Sequence, residues 1–239
     1  MEWRITPPAN PPYNLEWERK TMSQNGLGIV RLKDVPFVDR MNVDNWPVRI
    51  GLYYTDPVHN VMVRMIDYAS RAIEPRHTHP GRHGTTVLRG RVLAEGLTLG
   101  PLDVILGPSF EPHGPFEYPD GCNLISCFQG NDFHSEVGEL SAEKRYRLVQ
   151  HADIPWRKSG EGEVKVLIDH GLEDMLIEAY RFPAGAKVTP TFIAAVVMEG
   201  APEVNGERLG KWDLFHPEGD RPGTATFPEG GMILTVSMH

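Results

Sequence analysis

Residues 76–90 read Arg76-His77-Thr78-His79-Pro80-Gly81-Arg82-His83-Gly84-Thr85-Thr86-Val87-Leu88-Arg89-Gly90. Three of the ten histidines fall within seven residues of this stretch. In an extended strand alternate side chains share a face, so His77 and His79 point the same way, roughly 6–7 Å apart. Pro80-Gly81 signals a turn, which sets His83 at the start of the next strand, folded back over the same point. Neutral imidazole binds borderline metals such as iron, zinc, nickel, copper or manganese, and a histidine-only set leaves positions open for solvent or substrate. A lone H-x-H is more often a solvated hairpin. A third histidine at this spacing, ahead of an apolar strand and Gly90, points instead to a metal site.

The strands around this hairpin are short. Val48–Tyr54 and Asn60–Ile66 are divided by Asp56-Pro57; Thr85–Gly90, Arg91–Ala94, Asp103–Leu106 and Cys122–Phe128 follow. Turn signals every eight to twelve residues argue for an all-β sandwich or barrel. The 24 Gly and 21 Pro, spread along the chain, argue against long helices. Residues 1–46 read as an N-terminal arm packed on the body, with Gly28–Leu32 a candidate strand and Val35–Val38 a loop. The segment from Asp132 to Val149 reads as a short helix or a connector of mixed charge.

The second half repeats the first. Adding 110 to a residue number places Gly90 on Gly200, Gly96 on Gly206, Leu99-Gly100 on Leu209-Gly210, Asp103 on Asp213, Gly121 on Gly231 and Leu124 on Leu234. The matches are mostly turn-forming residues, so two copies of one β-unit are expected. Asn205-Gly206 is a type I′ hairpin signal, which makes Glu95-Gly96 the matching tip in the first copy. At the same offset His77, His79, His83 and His113 become Lys187, Thr189, Ile193 and Gly223. The second copy keeps the turns and loses the nitrogen donors. Its cavity is expected to be filled by residues such as Ile193, with no metal.

Composition narrows the partners. The 239 residues carry a net charge of −8 and no Lys/Arg block, which speaks against nucleic acid. No apolar run is long enough to span a bilayer as a helix, and the first residues lack the apolar core of a signal peptide. The two cysteines, Cys122 and Cys127, sit five apart on one strand and face opposite sides, so a disulfide between them is implausible. These features fit a reducing cytoplasm. A small-molecule substrate and a homodimeric assembly are expected, without nucleic acid or membrane.

The residues now quoted resemble the cupin superfamily. Its first motif runs G-x5-H-x-H-x3,4-E-x6-G, and His77-x-His79-x3-His83-x6-Gly90 keeps that spacing with His83 at the glutamate position. Its second motif runs G-x5-P-x-G-x2-H-x3-N; Pro108-x-Phe110-x2-His113 keeps the proline and the histidine, while Leu102, Phe110 and Glu117 stand where Gly, Gly and Asn are usual. The resemblance implies two tandem antiparallel jelly-roll barrels. The metal-binding barrel would span 47–150 and a degenerate barrel 151–239. It also implies one divalent transition metal on His77, His79, His83 and His113. Glu95 is the alternative to His83, though its hairpin-tip position argues against it.

Pro75-Arg76-His77-x-His79 and Leu88-Arg89-Gly90 are most similar to the dihydroxyacetophenone and acetylacetone dioxygenases. This implies iron(II) and cleavage of a small diketone, hydroxyketone or phenolic ketone. Zinc, nickel or manganese would imply an isomerase, lyase or hydrolase, and a saturated site a non-catalytic sensor. Glu111 shares the parity of His113 and is the candidate general base, against the bland reading of a surface glutamate. Arg64 and Arg89 could bind a substrate carboxylate or enolate, although a solvated strand arginine is the commoner case.

Overall fold

The computed structural model describes residues 26–41, 47–130, 146–169, 175–218 and 223–238. The first part forms strands β1 (Leu27–Val30), β2 (Phe37–Met41), β3 (Pro47–Asp56), β4 (Val61–Tyr68), β5 (Ala72–Glu74), β6 (Arg82–Gly90), β7 (Val92–Ala94), β8 (Leu97–Leu99), β9 (Val104–Gly107), β10 (Phe116–Tyr118), β11 (Cys122–Gln129) and β12 (Arg147–Val149). The second forms β13 (Arg157–Ser159), β14 (Gly162–Asp169), β15 (Met175–Phe182), β16 (Ala186–Val188), β17 (Ala194–Gly200), β18 (Glu203–Val204), β19 (Glu207–Arg208), β20 (Leu214–Pro217), β21 (Ala225–Phe227) and β22 (Gly231–Met238). Among the described residues no helix is long and apolar enough to cross a membrane.

These strands build two jelly-roll barrels, each a seven-stranded sheet facing a four-stranded one. The first barrel has the order β12-β9-β6-β11-β4-β3-β2 over β5-β10-β7-β8, and the second β1-β20-β17-β22-β15-β14-β13 over β16-β21-β18-β19. The expected all-β tandem-barrel architecture is therefore the one observed.

Strand parity divides each large sheet into two apolar faces. On β11, Cys122 and Leu124 join the interior of the first barrel, whereas Ile125 and Cys127 join a second cluster shared with the other large sheet. That shared cluster sets Val61, Val63 and Met65 of β4 against Ile168, Ile177 and Val236 of the second barrel. Packing there is close enough that Gly84 has no room for a Cβ, which would run into Ile168 and Ile177. Both cysteines are free and buried on opposite faces, and burial pushes each thiol up to about 12.

The internal repeat is visible down to single hydrogen bonds. The tips Glu95-Gly96 and Asn205-Gly206 both take left-handed backbone, with φ of 48° and 80° in the first and 56° and 79° in the second. The N–H groups of Leu102 and Trp212 donate to Val87 and Val197 at 2.9 and 2.7 Å. The gap-free register of 110, however, holds only over β6 to β9. Ala72 of β5 faces Tyr118 as Ala186 faces Phe227. Those pairs correspond at offsets of 114 and 109.

The first copy is thus four residues longer between β5 and β6, and one residue longer between β9 and β10. These are the two loops that carry His77, His79 and His113. Lys187 consequently corresponds to Ile73 rather than to His77, and both Lys187 and Thr189 are exposed. Ile193 does not fill the second barrel either, because it joins the cluster between the large sheets. Phe182, Phe192, Phe215 and Phe227 fill that interior instead, Phe192 meeting Phe215 edge-on at 5.6 Å.

Residues 27–41, expected as a strand, a loop and an arm, give one strand to each large sheet: β1 pairs with β20 and β2 with β3. After the first barrel the chain does the converse, with β12 on β9 and β13 on β14. A single 3-10 turn separates the strands in each case, Leu32–Asp34 and His151–Asp153. Leu32 N donates to Asp213 Oδ1 at 2.9 Å, and His151 N to Asp103 Oδ1 at 2.8 Å. The sequence signature is Asp34-Val35-Pro36-Phe37 against Asp153-Ile154-Pro155-Trp156, at an offset of 119 rather than 110. Of the segment expected as a helix or connector, residues 132–145 lie outside the described residues and 147–149 are β12.

Candidate metal centre

The histidine loop is laced to the loop after β9. His77 and His113 form an isolated antiparallel bridge, each N–H donating to the other's carbonyl at 3.0 and 2.9 Å. Phe110 N donates to His79 O at 2.7 Å, with Phe110 at a left-handed φ of 59°. Pro80-Gly81 then turns the chain into β6, whose second residue is His83. Four imidazoles meet inside the first barrel as a result, and each is at most 4% exposed.

Backbone carbonyls fix the direction of two of the rings. His77 Nδ1 lies 2.7 Å from Pro75 O, and His113 Nδ1 lies 2.8 Å from Glu111 O. A carbonyl can only accept, so each Nδ1 carries the proton and each Nε2 presents its lone pair. His77 Nε2 lies 3.1 Å from His79 Nε2. The donor atoms of His77, His79 and His113 all fall within 4.8 Å of one another. The buried lone pairs of His77 and His113, with His79 beside them, form a pocket that favours a cation. A neutral, thiolate-free imidazole set with its tautomers fixed by second partners suits a divalent transition metal.

His83 packs on the other rings, with centroids 5.0 Å from His79 and 4.7 Å from His113. Its nitrogen-bearing edge leans on Gly107, its cross-strand partner on β9. A Cβ on Gly107 would collide with the His83 imidazole. Gly107→Ala should therefore swing His83 off β9. A shifted His83 imidazole resonance, with the fold intact by circular dichroism, is the expected result; an unmoved resonance would contradict it.

The other residues singled out from sequence are spread around this centre. Glu111 is 6% exposed, and its carbonyl holds His113. Glu95 stands on the exposed tip between β7 and β8. Its carboxylate meets Tyr146, which burial and then that contact push well above the usual phenol range. Arg89 is exposed. Arg64 is buried, with its guanidinium 4.6 Å above the Phe128 ring, and that ring lies 5.0 Å from His79. Sequence reasoning missed Glu74, the last residue of β5. Its Oε1 is 3.7 Å from His77 Nε2, and its Oε2 accepts the Tyr118 hydroxyl at 2.7 Å.

Fold and site together define a tandem jelly-roll barrel whose first copy holds a buried histidine cluster suited to a divalent metal. Solved structures share the architecture. A candidate dioxygenase from Nostoc punctiforme PCC 73102 superposes with a TM-score of 0.77 at 12% identity, over 92% of this chain and 85% of that one. Oxalate decarboxylase from Lactobacillus farciminis, solved with formate, gives 0.61 at 12% identity over 90% and 86%. A mutant of salicylate 1,2-dioxygenase from Pseudoaminobacter salicylatoxidans gives 0.54 at 15% identity over 74% and 71%. At such identities the likeness is one of fold. No protein-family model and no curated protein sequence matches the chain.

Proposed function

We propose that this chain is a metal-dependent cupin enzyme, a non-haem dioxygenase that cleaves a small diketone, hydroxyketone or phenolic ketone, with iron(II) as its metal. The observation that carries the reading is the convergence of His77, His79 and His113 on one buried point, with two of the tautomers fixed by carbonyls. The fold likeness of the chain to two proteins that bear the name dioxygenase supports the reaction class. A divalent ion held there supplies Lewis acidity toward the substrate oxygens and, as iron(II), the redox chemistry of dioxygen.

The chain's own residues do the rest. Neutral imidazoles leave the ion's charge available to a chelating enolate. Phe116 and Phe128, whose rings flank His113 and His79 at 5.9 and 5.0 Å, keep the surroundings apolar. The Glu111 carboxylate is proposed to take the acidic proton of the substrate as the enolate forms. His83 lines the same space and offers a hydrogen bond to a bound ligand. The second barrel, with its phenylalanine-filled interior, serves as a metal-free scaffold against which the first is packed.

Oxygen uptake by the iron-loaded protein, with a panel of β-diketones and hydroxyacetophenones, tests the proposal. Uptake coupled to carbon–carbon cleavage of one of them is the expected result. Absence of uptake together with zinc or nickel as the native metal would transfer the site to isomerase or lyase chemistry. Tight binding of one compound without turnover would make it a sensor.

A further inference from the structure

Inside the first barrel, two hydroxyls stand between the histidines and the apolar interior. Thr85 of β6 and Ser126 of β11 are cross-strand partners, and their side-chain oxygens lie 2.7 Å apart. Thr85 is 7% exposed and Ser126 is fully buried. On one side of this pair are the partners His83 and Phe128. On the other are Val87 and Leu124, which belong to the apolar interior. Residues two apart on a strand share a face and lie about 6–7 Å from each other. The hydroxyls therefore sit one step along the barrel from His83. Phe128, one step from Ser126, packs on His83 and His79 with ring centroids at 4.8 and 5.0 Å.

Two hydroxyls carry two protons. The bond between Thr85 and Ser126 uses one of them, and among the described residues neither side chain makes another hydrogen bond. One buried O–H donor is left over. Either oxygen can donate to the other, so the spare proton can sit on whichever faces a ligand. The fold itself gains little from such a pair. Apolar groups of the same shape in place of both partners of a buried hydrogen bond are close to neutral, whereas a buried donor without an acceptor is costly. Costs of this kind persist at functional sites, where a bound molecule supplies the missing acceptor.

Resting on the metal-dependent reading proposed above, we infer that the Thr85–Ser126 pair donates a hydrogen bond to a third oxygen of the substrate, one that does not bind the metal. This narrows the substrate class. A simple diketone or hydroxyketone uses both of its oxygens in chelation and has nothing left for the pair. A phenolic hydroxyketone chelates in the same way and keeps its ring hydroxyl as the acceptor. The pair is thus a specificity determinant that favours the phenolic compound over its unsubstituted analogue.

The test is ligand binding to the zinc-loaded protein, read by titration calorimetry without turnover. The probes are benzohydroxamate, which chelates as a monoanion through two oxygens, and its 3-hydroxy, 4-hydroxy, 3-methyl and 4-methyl derivatives. Wild type is expected to prefer one hydroxy derivative over the matching methyl compound by at least about fivefold. The double variant Thr85→Val/Ser126→Ala removes both donors and keeps the apolar shape. It should lose that preference, bind the parent hydroxamate within a few-fold of wild type, and take up zinc as wild type does. Of the two single variants, the one that removes the hydroxyl facing the ligand should lose the preference as well, and these serve if the double variant fails to fold. A preference that survives removal of both hydroxyls, or that is absent from a wild type able to bind the parent compound, would overturn the assignment while leaving the metal centre standing. A wild type that takes up no zinc, or takes it up and binds none of the hydroxamates, would instead remove the reading on which the assignment rests.

Discussion

His79→Ala is expected to lower affinity for divalent metal by at least about 100-fold and to leave the protein folded. His79 packs against every other ring of the cluster, with centroids 4.7 Å from His77, 5.0 Å from His83 and 5.2 Å from His113. Its removal leaves only His77 and His113 of the three converging imidazoles. Folding should survive because the loop is held by backbone bonds, including the His77–His113 bridge, which the substitution does not touch. Saturating metal at about 100 times its dissociation constant should stabilise wild type by about 2.7 kcal/mol and the variant by almost nothing. Thermal melts with and without metal read the difference directly. An equal metal-induced shift in both proteins would contradict the placement of His79 in the centre.

The second large effect lies far from that centre. Asp213→Ala is expected to destabilise the chain by about 3–5 kcal/mol, and Asp103→Ala by about 2–4 kcal/mol. Asp213 accepts from Gly210 N at 2.8 Å, Leu32 N at 2.9 Å and Arg31 Nη1 at 2.9 Å. One carboxylate thus ties a turn of the second barrel to the segment that passes from β1 to β2. Asp103 repeats the arrangement with Gly100 N and His151 N, both at 2.8 Å, but without an arginine. Alanine at either site strands buried N–H donors, and at Asp213 it also leaves Arg31 short of an ionic partner. Denaturant unfolding should rank the two in that order. Losses under about 1 kcal/mol at both sites, the worth of a single ordinary hydrogen bond, would mean that the connecting segments are not part of the cooperative fold.

The architecture was legible wherever the chain needs special backbone geometry. Left-handed tips at Glu95-Gly96 and Asn205-Gly206, and the aspartate turns at 103 and 213, are demands that few residues meet, so the repeat left them recognisable. Register was not legible where length changed. Turn residues stand in both loops, Pro80-Gly81 before β6 and Pro112 and Gly114-Pro115 before β10, but they do not reveal the four extra residues in the one or the single extra residue in the other, so His77 and His113 acquire false counterparts when the halves are aligned without gaps. The Asp-Val-Pro-Phe and Asp-Ile-Pro-Trp segments were readable in principle. They stand at a different offset from the rest of the repeat, and only the structure shows that each bridges both large sheets.

The site divides in the same way. His77, His79 and His113 follow a spacing rule, because one short loop and one bridge set their positions. Glu74 follows none. It comes within 3.7 Å of His77 Nε2 through the pairing of β5 with β10 and the bond from the Tyr118 hydroxyl, contacts between residues distant in sequence. His83 fits the motif spacing, yet its ring direction is set by the missing Cβ of Gly107 on another strand.

Metal analysis of the untagged native protein, combined with anomalous diffraction at the absorption edge of the metal found, tests the central claim most directly. One ion per chain, in contact with Nε2 of His77 and His113 and with His79, is the predicted result. No bound metal, or an ion placed within the second barrel instead, would contradict it.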